Sequence, residues 1–332
     1  MDYYKKYINT NQIGGKNIRI FKKIARVYKD IGLLGVFLNG LRIGFLQISK
    51  YFSKSAGWVV TKVPILPTHR ELLKRNNIFR NKHIGHRCFI IGNGPSLKKQ
   101  DLSLLSNEIT FSVNAFFKYK NIEKWQPNYY CFVDPLFFSD SIAVRKFYQN
   151  VRQKLYSSIF LVPINAKSIL ENQKLVPEER TYYVEFRGWL REGFNCNIDL
   201  TKSIPGVTNV IQLCIIWAMY MGCSPIYLLG LDHDWLSYRG TIEYFHSGVT
   251  IDHDPRIEED LNKIPYKNTL EDVLRLWQGY ETISKISSKR GIDIINATEG
   301  GFLDVFERMN YKSIFLQNKK QRNTSVKSLN KI

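Results

Sequence analysis

The chain has 332 residues, of which 44% are hydrophobic and 14% aromatic, a composition that supports a packed core and excludes a disordered protein. Its formal net charge is +19, but the charge is concentrated at the ends. Residues 1–60 hold eleven lysines and arginines against two acids, and residues 312–332 hold six against none. A nucleic-acid enzyme more often carries its basic patch on the folded body. The charge therefore predicts attachment to an anionic inner-membrane surface and no nucleic-acid partner.

Cysteine usage and the first residues predict the compartment. The five cysteines are odd in number and lack metal-type spacing, and the opening MDYYKKYINTNQ contains no apolar core of a secretory signal. Both features favour a reducing, cytoplasmic location.

Residues 1–60 are predicted to form a basic amphipathic segment that associates with the membrane. On a helical wheel, residues 18–29 place lysines and arginines on one arc and apolar side chains on the other, which is typical of a helix lying in a membrane interface. Residues 31–48 are apolar, but Arg42 and several glycines interrupt them, and they barely reach spanning length. Two alternatives stay open: a transmembrane helix over 31–48, and helices that pack on the domain.

Residues 61–311 are predicted to form a Rossmann-like α/β domain with an open, mostly parallel sheet. Short apolar runs alternate with helical stretches, and several runs are apolar throughout, as in strands buried on both faces. Residues 234–268, without a clear period, predict a lid, and residues 312–332 predict a basic tail. The predicted strands are Cys88–Ile91, Ile109–Val113, Tyr129–Val133, Ile159–Pro163, Tyr182–Phe186, Ile226–Leu229 and Ile292–Ile295.

The first strand is followed by an unusual loop, Gly92-Asn93-Gly94-Pro95-Ser96. In an open α/β sheet, ligands bind outside the carboxyl ends of the strands. Glycines let the backbone turn sharply and approach a ligand, and the asparagine can both donate and accept hydrogen bonds. The loop is neither G-x-G-x-x-G nor a Walker A loop, so it is a weak nucleotide signal, and a tight structural turn is the alternative.

Two further strand tips carry polar side chains. Asn114 follows the second strand, and Asp134 follows the third. Two neighbouring tips that each carry Asn favour a binding site more than either alone, although a single Asn or Asp at a strand end is usually a turn former.

The stretch SIPGVTNVIQLCIIWAMYMGCSPIYLLGLDHDW, residues 203–235, predicts a turn, a buried helix and a strand. Pro205-Gly206 is predicted to form the turn, and Thr208 or Asn209 to cap a helix that runs to about Met221. The strand ends in Asp232-His233-Asp234. Its two carboxylates would be the ligands if a magnesium ion takes part, and the alternative is that Asp232 hydrogen-bonds loop backbone.

These stretches together resemble the small bacterial sialyltransferases, which share I-I-x-G-N-G-P-S-L, an Asn after the second strand, and an S-G-V helix followed by I-Y-L-x-G-x-D. The chain is also similar to the wider fold family of motility-associated glycosyltransferases and 6-hydroxymethylpterin diphosphokinase-like proteins. Its stretch IINATEGGFLDVFER, residues 294–308, resembles the closing strand and loop of that family. The resemblance covers roughly residues 84–310. Carried over by motif, it implies that Asn93, Gly94 and Ser96 contact the nucleotide and its phosphate and that Asn114 holds the donor. The other residues predicted to bind the substrate or nucleotide are Gly92, Asp134, Gly206, Val207, Thr208 and Asp232.

The resemblance implies catalytic residues in the lid. A tyrosine pair there stabilises the departing phosphate in the sialyltransferases, and Tyr238 and Tyr244 are the candidates, although Asp234 stands where the first tyrosine is expected. A histidine serves as the base, and His246 lies in the matching region, with His253 as runner-up. Imidazole suits proton abstraction near neutral pH.

The resemblance implies a glycosyltransferase of bacterial surface-glycan synthesis that transfers a sialic-acid-like sugar, with inversion and without a required metal, from a cytidine monophosphate (CMP)-activated donor. The basic ends predict a lipid-linked or oligosaccharide acceptor and a location at the cytoplasmic face of the inner membrane. Two alternatives stay open: a magnesium-dependent pterin-type pyrophosphokinase, and a non-catalytic nucleotide-binding or scaffold protein.

Overall fold

The computed structural model describes residues 65–190, 198–234, 236 and 265–316. By contacts between residues, the chain divides into two units, Met1–Thr68 and His69–Ile332. The predicted membrane segment 1–60 lies outside the described residues, as do most of the predicted lid and of the predicted tail. The fold below is therefore that of the second unit.

The strands are β1 Cys88–Ile91, β2 Ile109–Val113, β3 Tyr129–Cys131, β4 Ile159–Pro163, β5 Thr181–Val184, β6 Phe186–Trp189, β7 Ile204–Gly206, β8 Ile226–Leu229, β9 Ile294–Asn296 and β10 Glu307–Arg308. Eight of these strands form one open, parallel sheet in the order β10-β9-β8-β1-β2-β3-β4-β5. Strands β6 and β7 form a separate parallel pair. The α-helices are α1 Pro67–Lys74, α2 Ile142–Lys154, α3 Lys167–Asn172, α4 Val210–Tyr220 and α5 Tyr266–Lys289.

The α/β fold class with an open parallel sheet is confirmed. The runs predicted at β1, β2, β4 and β8 match the strands residue for residue. Four details were wrong. The third predicted strand, Tyr129–Val133, already ends at Cys131. The run 182–186 is split, because β5 ends at Val184 and a new strand begins at Phe186. The last predicted strand begins two residues later and ends one residue later, and Pro205-Gly206, predicted as a turn, belongs to β7. A two-stranded pair has free edges on both sides, so a proline without an N–H is tolerated there.

Helices cover both faces of the central strands. Helix α4 is buried nearly all round and packs on β1, β2 and β3, where it contacts the face that carries Cys88 and Ile90. Helix α2 lies on the opposite face, where Phe147 packs edge-to-face on Phe132. Strands enclosed in this way have no solvent-facing side, which explains why their sequences are apolar throughout.

No helix within residues 65–190, 198–234, 236 and 265–316 combines the length and apolar character needed to cross a bilayer. The segment 31–48, for which a transmembrane helix stayed open, lies outside this part of the chain.

The strand order reverses at β1, which pairs with β2 on one side and with β8 on the other. In open α/β sheets this reversal leaves a crevice at the carboxyl ends of the two diverging strands, and ligands bind there. The loop after β1 and the tip of β8, both singled out from the sequence, meet at this place.

Candidate functional site

Glycines bring the loop after β1 into backbone contact with the tip of β8. Gly92 N–H donates to the Leu229 carbonyl at 2.8 Å, and Gly94 N–H donates to the Gly230 carbonyl at 3.0 Å. A Cβ on Gly92 would lie 2.5 Å from the Gly230 oxygen, and one on Gly94 would lie 1.7 Å from Asp232 Oδ2. These positions therefore require glycine because the tip of β8, the strand beside β1 in the sheet, lies against the loop. The sequence did not show this contact.

Ser96 and Asp232, both predicted to bind nucleotide, are bonded to each other. Ser96 N–H donates to Asp232 Oδ1 at 3.1 Å, and the Ser96 hydroxyl donates to Oδ2 at 2.8 Å. Burial raises the pKa of the Asp232 carboxyl, the two Ser96 hydrogen bonds act in the opposite direction, and the nearby Asp234 raises it further. This pair joins the β1 loop to the β8 tip.

Asn93 and Asn114 each present a buried amide oxygen without a partner among the described residues. Asn93 Nδ2 donates to the Val113 carbonyl at 3.0 Å, which leaves its Oδ1 as a spare acceptor. Asn114 has φ +51°, a left-handed conformation that asparagine tolerates, and its backbone carbonyl accepts from Tyr130 Oη at 2.8 Å. Two adjacent strand tips thus offer two acceptors to a ligand that carries hydroxyl or amino donors.

Asp134 lies at the third tip in a turn-forming role. Its Oδ1 accepts from Leu136 N–H at 3.0 Å and caps the short 3-10 helix Pro135–Phe138. This is the alternative that the sequence left open for a single acid at a strand end.

The predicted binding segment Gly206-Val207-Thr208 leads from β7 into α4. Thr208 donates through both its N–H and its hydroxyl to Gln212 Oε1, each at 2.9 Å. Gln212 Nε2 in turn donates to the Leu276 carbonyl of α5 at 3.0 Å. Gln212 is fully buried and was not among the residues predicted from the sequence. The signal that could have found it is a single amide in an otherwise apolar helix, IQLCIIWAMY.

A second buried link joins the start of α4 to the β8 tip. Asn209, one of the two predicted caps, accepts from Gln212 N–H at 3.0 Å and donates through Nδ2 to Tyr280 Oη at 2.8 Å. The same hydroxyl lies 2.9 Å from His233 Nε2. Burial lowers the pKa of His233 to about 3, so the imidazole is neutral at physiological pH.

The loop after β9 closes the other side of the β8 tip. Phe302 N–H donates to the Asp232 carbonyl at 2.7 Å, and Leu231 N–H donates to Thr298 Oγ1 at 3.0 Å. Arg308 holds this loop by donating to several of its backbone carbonyls, among them Thr298 at 3.0 Å and Leu303 at 3.1 Å. The β8 tip and the loop after β9 are therefore joined by hydrogen bonds on this side of the crevice.

The predicted catalytic residues Tyr238, Tyr244 and His246, and the runner-up His253, lie outside the described residues and stay predictions. In the part of the chain that the structure describes, no group of three or more His, Cys, Asp and Glu side chains is placed to hold a metal. Asp232 and Asp234 are neighbours, but both oxygens of Asp232 already accept from Ser96.

Comparisons with known proteins address the family. No curated protein matches the chain. Several solved structures match, and one is the MAf glycosyltransferase from Magnetospirillum magneticum AMB-1, at 13% identity and a TM-score of 0.42 over 74% of this chain. The chain spans only 39% of that longer protein. The family model 6-hydroxymethylpterin diphosphokinase MptE-like matches residues 65–237, just over half of the chain and all strands from β1 to β8. The chain therefore belongs to the 6-hydroxymethylpterin diphosphokinase MptE-like family, as the resemblance predicted.

Proposed function

We propose that this protein is a glycosyltransferase that transfers a sialic-acid-like sugar, with inversion, from a CMP-activated donor to a glycan acceptor. The observation that carries the proposal is the pair of buried amide oxygens on Asn93 and Asn114, which have no hydrogen-bond partner among the described residues and lie beside the switch point of the sheet. We infer CMP as the nucleotide from the resemblance to the small sialyltransferases, because the strand tips that carry Asn93 and Asn114 are part of the shared motifs.

The two oxygens suit a nucleoside. A ribose presents vicinal hydroxyls and cytosine presents an amino group, and each can donate to an amide oxygen. A buried acceptor without a partner costs about 1–3 kcal/mol. A ligand that supplies the missing donors regains that energy, so the free protein is prepared for such a ligand.

The chemistry requires a base and a way to stabilise the leaving group. The base takes the proton of the acceptor hydroxyl, whose oxygen attacks the anomeric carbon on the face opposite the phosphate, and CMP departs with the bonding electrons. We assign the base to His246 and donation to the departing phosphate to Tyr238 and Tyr244, on the strength of the resemblance. Hydroxyl donors at the phosphate would make a metal unnecessary.

The acceptor we propose is lipid-linked or an oligosaccharide. The basic end segments, 1–60 and 312–332, support this proposal, because they would hold the enzyme at the anionic inner-membrane surface where lipid-linked acceptors lie. The proposed location is the cytoplasmic side, peripheral to that membrane.

A second candidate is a pterin-type diphosphokinase, favoured by the family to which the chain belongs. It would bind ATP with magnesium, and Asp232 and Asp234 would be the available carboxylates. Asp232 also accepts two hydrogen bonds from Ser96, so magnesium would have to bind through the remaining lone pairs of this carboxylate.

A nucleotide panel distinguishes these functions. We expect CMP alone to raise the melting temperature, and an Asn114→Gly variant, which keeps the positive φ but removes the amide, to lose most of that shift. Asn81→Gly is the matched control, because Asn81 is an exposed asparagine at φ +57° before β1. Stabilisation by ATP only with magnesium would instead support the kinase, and no response to either would support a scaffold.

Turnover tests the assignment of the base. We expect His246→Ala to bind CMP within a few-fold of the native protein while sugar transfer falls by about 10² or more, as for the loss of a general base. His253→Ala should lower transfer much less. Near-native transfer by a folded His246→Ala protein would move the base to His253 or to Glu243.

A further inference from the structure

Tyr280 occupies a central position between three elements. It lies on α5, is fully buried, and its hydroxyl is within hydrogen-bond distance of Asn209 at the start of α4 and of His233 after β8. Tyr280 lies 71 positions after Asn209 and 47 positions after His233 in the sequence. One hydroxyl therefore connects a helix terminus to a strand tip that borders the candidate site.

The direction of each hydrogen bond follows from its neighbours. Gln212 N–H can only donate, and it faces Asn209 Oδ1, so the amide nitrogen Nδ2 faces Tyr280. Nδ2 donates, so the Tyr280 oxygen accepts. The hydroxyl proton then has His233 Nε2 as its acceptor at 2.9 Å. His233 therefore carries its own proton on Nδ1.

The linked backbone carries the predicted ligand-binding residues. Asn209 follows Thr208 directly, and His233, at φ +50°, follows Asp232 directly. Helix α5 contacts the start of α4 at a second place, where Gln212 Nε2 donates to the Leu276 carbonyl. The two helices are close there, because a Cβ added to Gly279 would lie 2.4 Å from Gln212 Nε2. Helix α5 thus holds the segment Gly206-Val207-Thr208 at a fixed distance from the β8 tip, which carries Asp232.

We propose that Tyr280 is a positioning residue of the nucleotide site, whose hydroxyl fixes the start of α4 against the β8 tip and selects the Nδ1–H form of His233. The proposal rests on the proposed function in placing a nucleotide between these two segments. Tyr280 itself touches no reacting atom. It acts through Asn209 and His233, and the site loses its spacing when the hydroxyl is removed.

The test compares two Tyr→Phe variants of the full chain. Tyr280→Phe removes the linking hydroxyl. Tyr148→Phe is the matched control, because Tyr148 is equally buried and its hydroxyl has no hydrogen-bond partner among the described residues. In the Tyr280→Phe protein we expect CMP to bind about tenfold more weakly, the ring ¹H–¹⁵N correlations of His233 to lose the Nδ1–H pattern, and the amide signals of Thr208 and Asp232 to shift. The Tyr148→Phe protein should match the native protein in all three.

A second variant covers the case in which Tyr280→Phe does not fold. Asn209→Ser keeps a side-chain oxygen to cap α4 but removes the donor to Tyr280, and we expect it to weaken CMP binding and to shift the Thr208 amide. Native-like CMP affinity and amide signals in either folded variant would overturn the positioning role. If the native protein binds no CMP, the proposed function fails, whereas the His233 pattern and the amide shifts still decide the role of Tyr280.

Discussion

At the scale of single residues, the candidate site separates into side chains that bond to each other and side chains that keep an acceptor without a partner. Ser96 and Asp232 belong to the first group, because each satisfies the other. Asn93 and Asn114 belong to the second, because each has a buried amide oxygen with no hydrogen-bond partner in the part of the chain that the structure describes. The sequence placed all four at strand tips but could not divide them, since the division depends on which atoms meet across more than a hundred residues.

Gly94 gives a direct test of the close approach between the β1 loop and the β8 tip. Its φ of −66° suits any residue, so Gly94→Ala carries no backbone penalty. The added Cβ would collide with Asp232 Oδ2 at 1.7 Å and approach the Gly230 oxygen at 2.7 Å. We expect a loss of about 1–3 kcal/mol in the free energy of unfolding, measured with urea, because crowding forces the loop to move.

The same substitution in an Asp232→Ala background isolates the carboxylate. Removing the carboxylate removes the closest clash, so Gly94→Ala should cost less there than in the native protein, as a double-mutant cycle reports. Equal costs in both backgrounds would show that the Gly230 carbonyl, and not Asp232, sets the requirement for glycine.

His233 predicts a pH dependence of stability. Its folded pKa of about 3 lies below the ordinary value of 6.5 because of burial, so between these values the unfolded chain binds one proton more than the native protein. Stability should therefore be complete above about pH 6.5 and fall by roughly 1 kcal/mol per pH unit below it. Urea titrations of the native protein and of His233→Gln, which cannot titrate, should differ by that slope. Parallel slopes would contradict the buried, neutral imidazole.

At the scale of elements, buried regular structure was predictable and irregular structure was not. Strands β1, β2, β4 and β8 are enclosed by helices, so their sequences are continuous apolar runs with sharp ends. Strand β6 contains Arg187 and Gly188, and β10 consists of two exposed charged residues, so neither carries an apolar pattern. Their pairing partners supply the information that the local sequence lacks.

The location of the candidate site was predictable from the sequence, but the side-chain links within it were not. Carboxyl ends of parallel strands gather at one edge of a sheet, so polar residues after several runs predicted a common site. The link from Asn209 through Tyr280 to His233 has no local signature, because a tyrosine in an amphipathic helix is more often simply part of the core. Spacing along a chain shows which residues share a face, but it does not show which hydroxyl lies between two distant side chains.

At the scale of the whole molecule, the candidate site and the surplus positive charge lie in different stretches of the chain. The described residues that form the crevice lie between Gly92 and Arg308, whereas the surplus positive charge lies in 1–60 and 312–332. The basic ends support the proposed membrane-bound acceptor, because each basic residue near an anionic surface adds about 1 kcal/mol of attraction.

Membrane attachment can be tested apart from nucleotide binding. We expect deletion of residues 1–60 to move the protein from membrane to soluble fractions while CMP still raises the melting temperature, because no residue of the described crevice is removed. Attachment of the full chain to vesicles that contain anionic lipid should weaken as salt rises, since the Debye length shortens to about 3 Å at 1 M. Vesicles of neutral lipid are the control. Attachment that resists both high salt and alkaline washing would indicate an inserted helix over 31–48, and a truncated chain that fails to fold would show that the segment is part of the core.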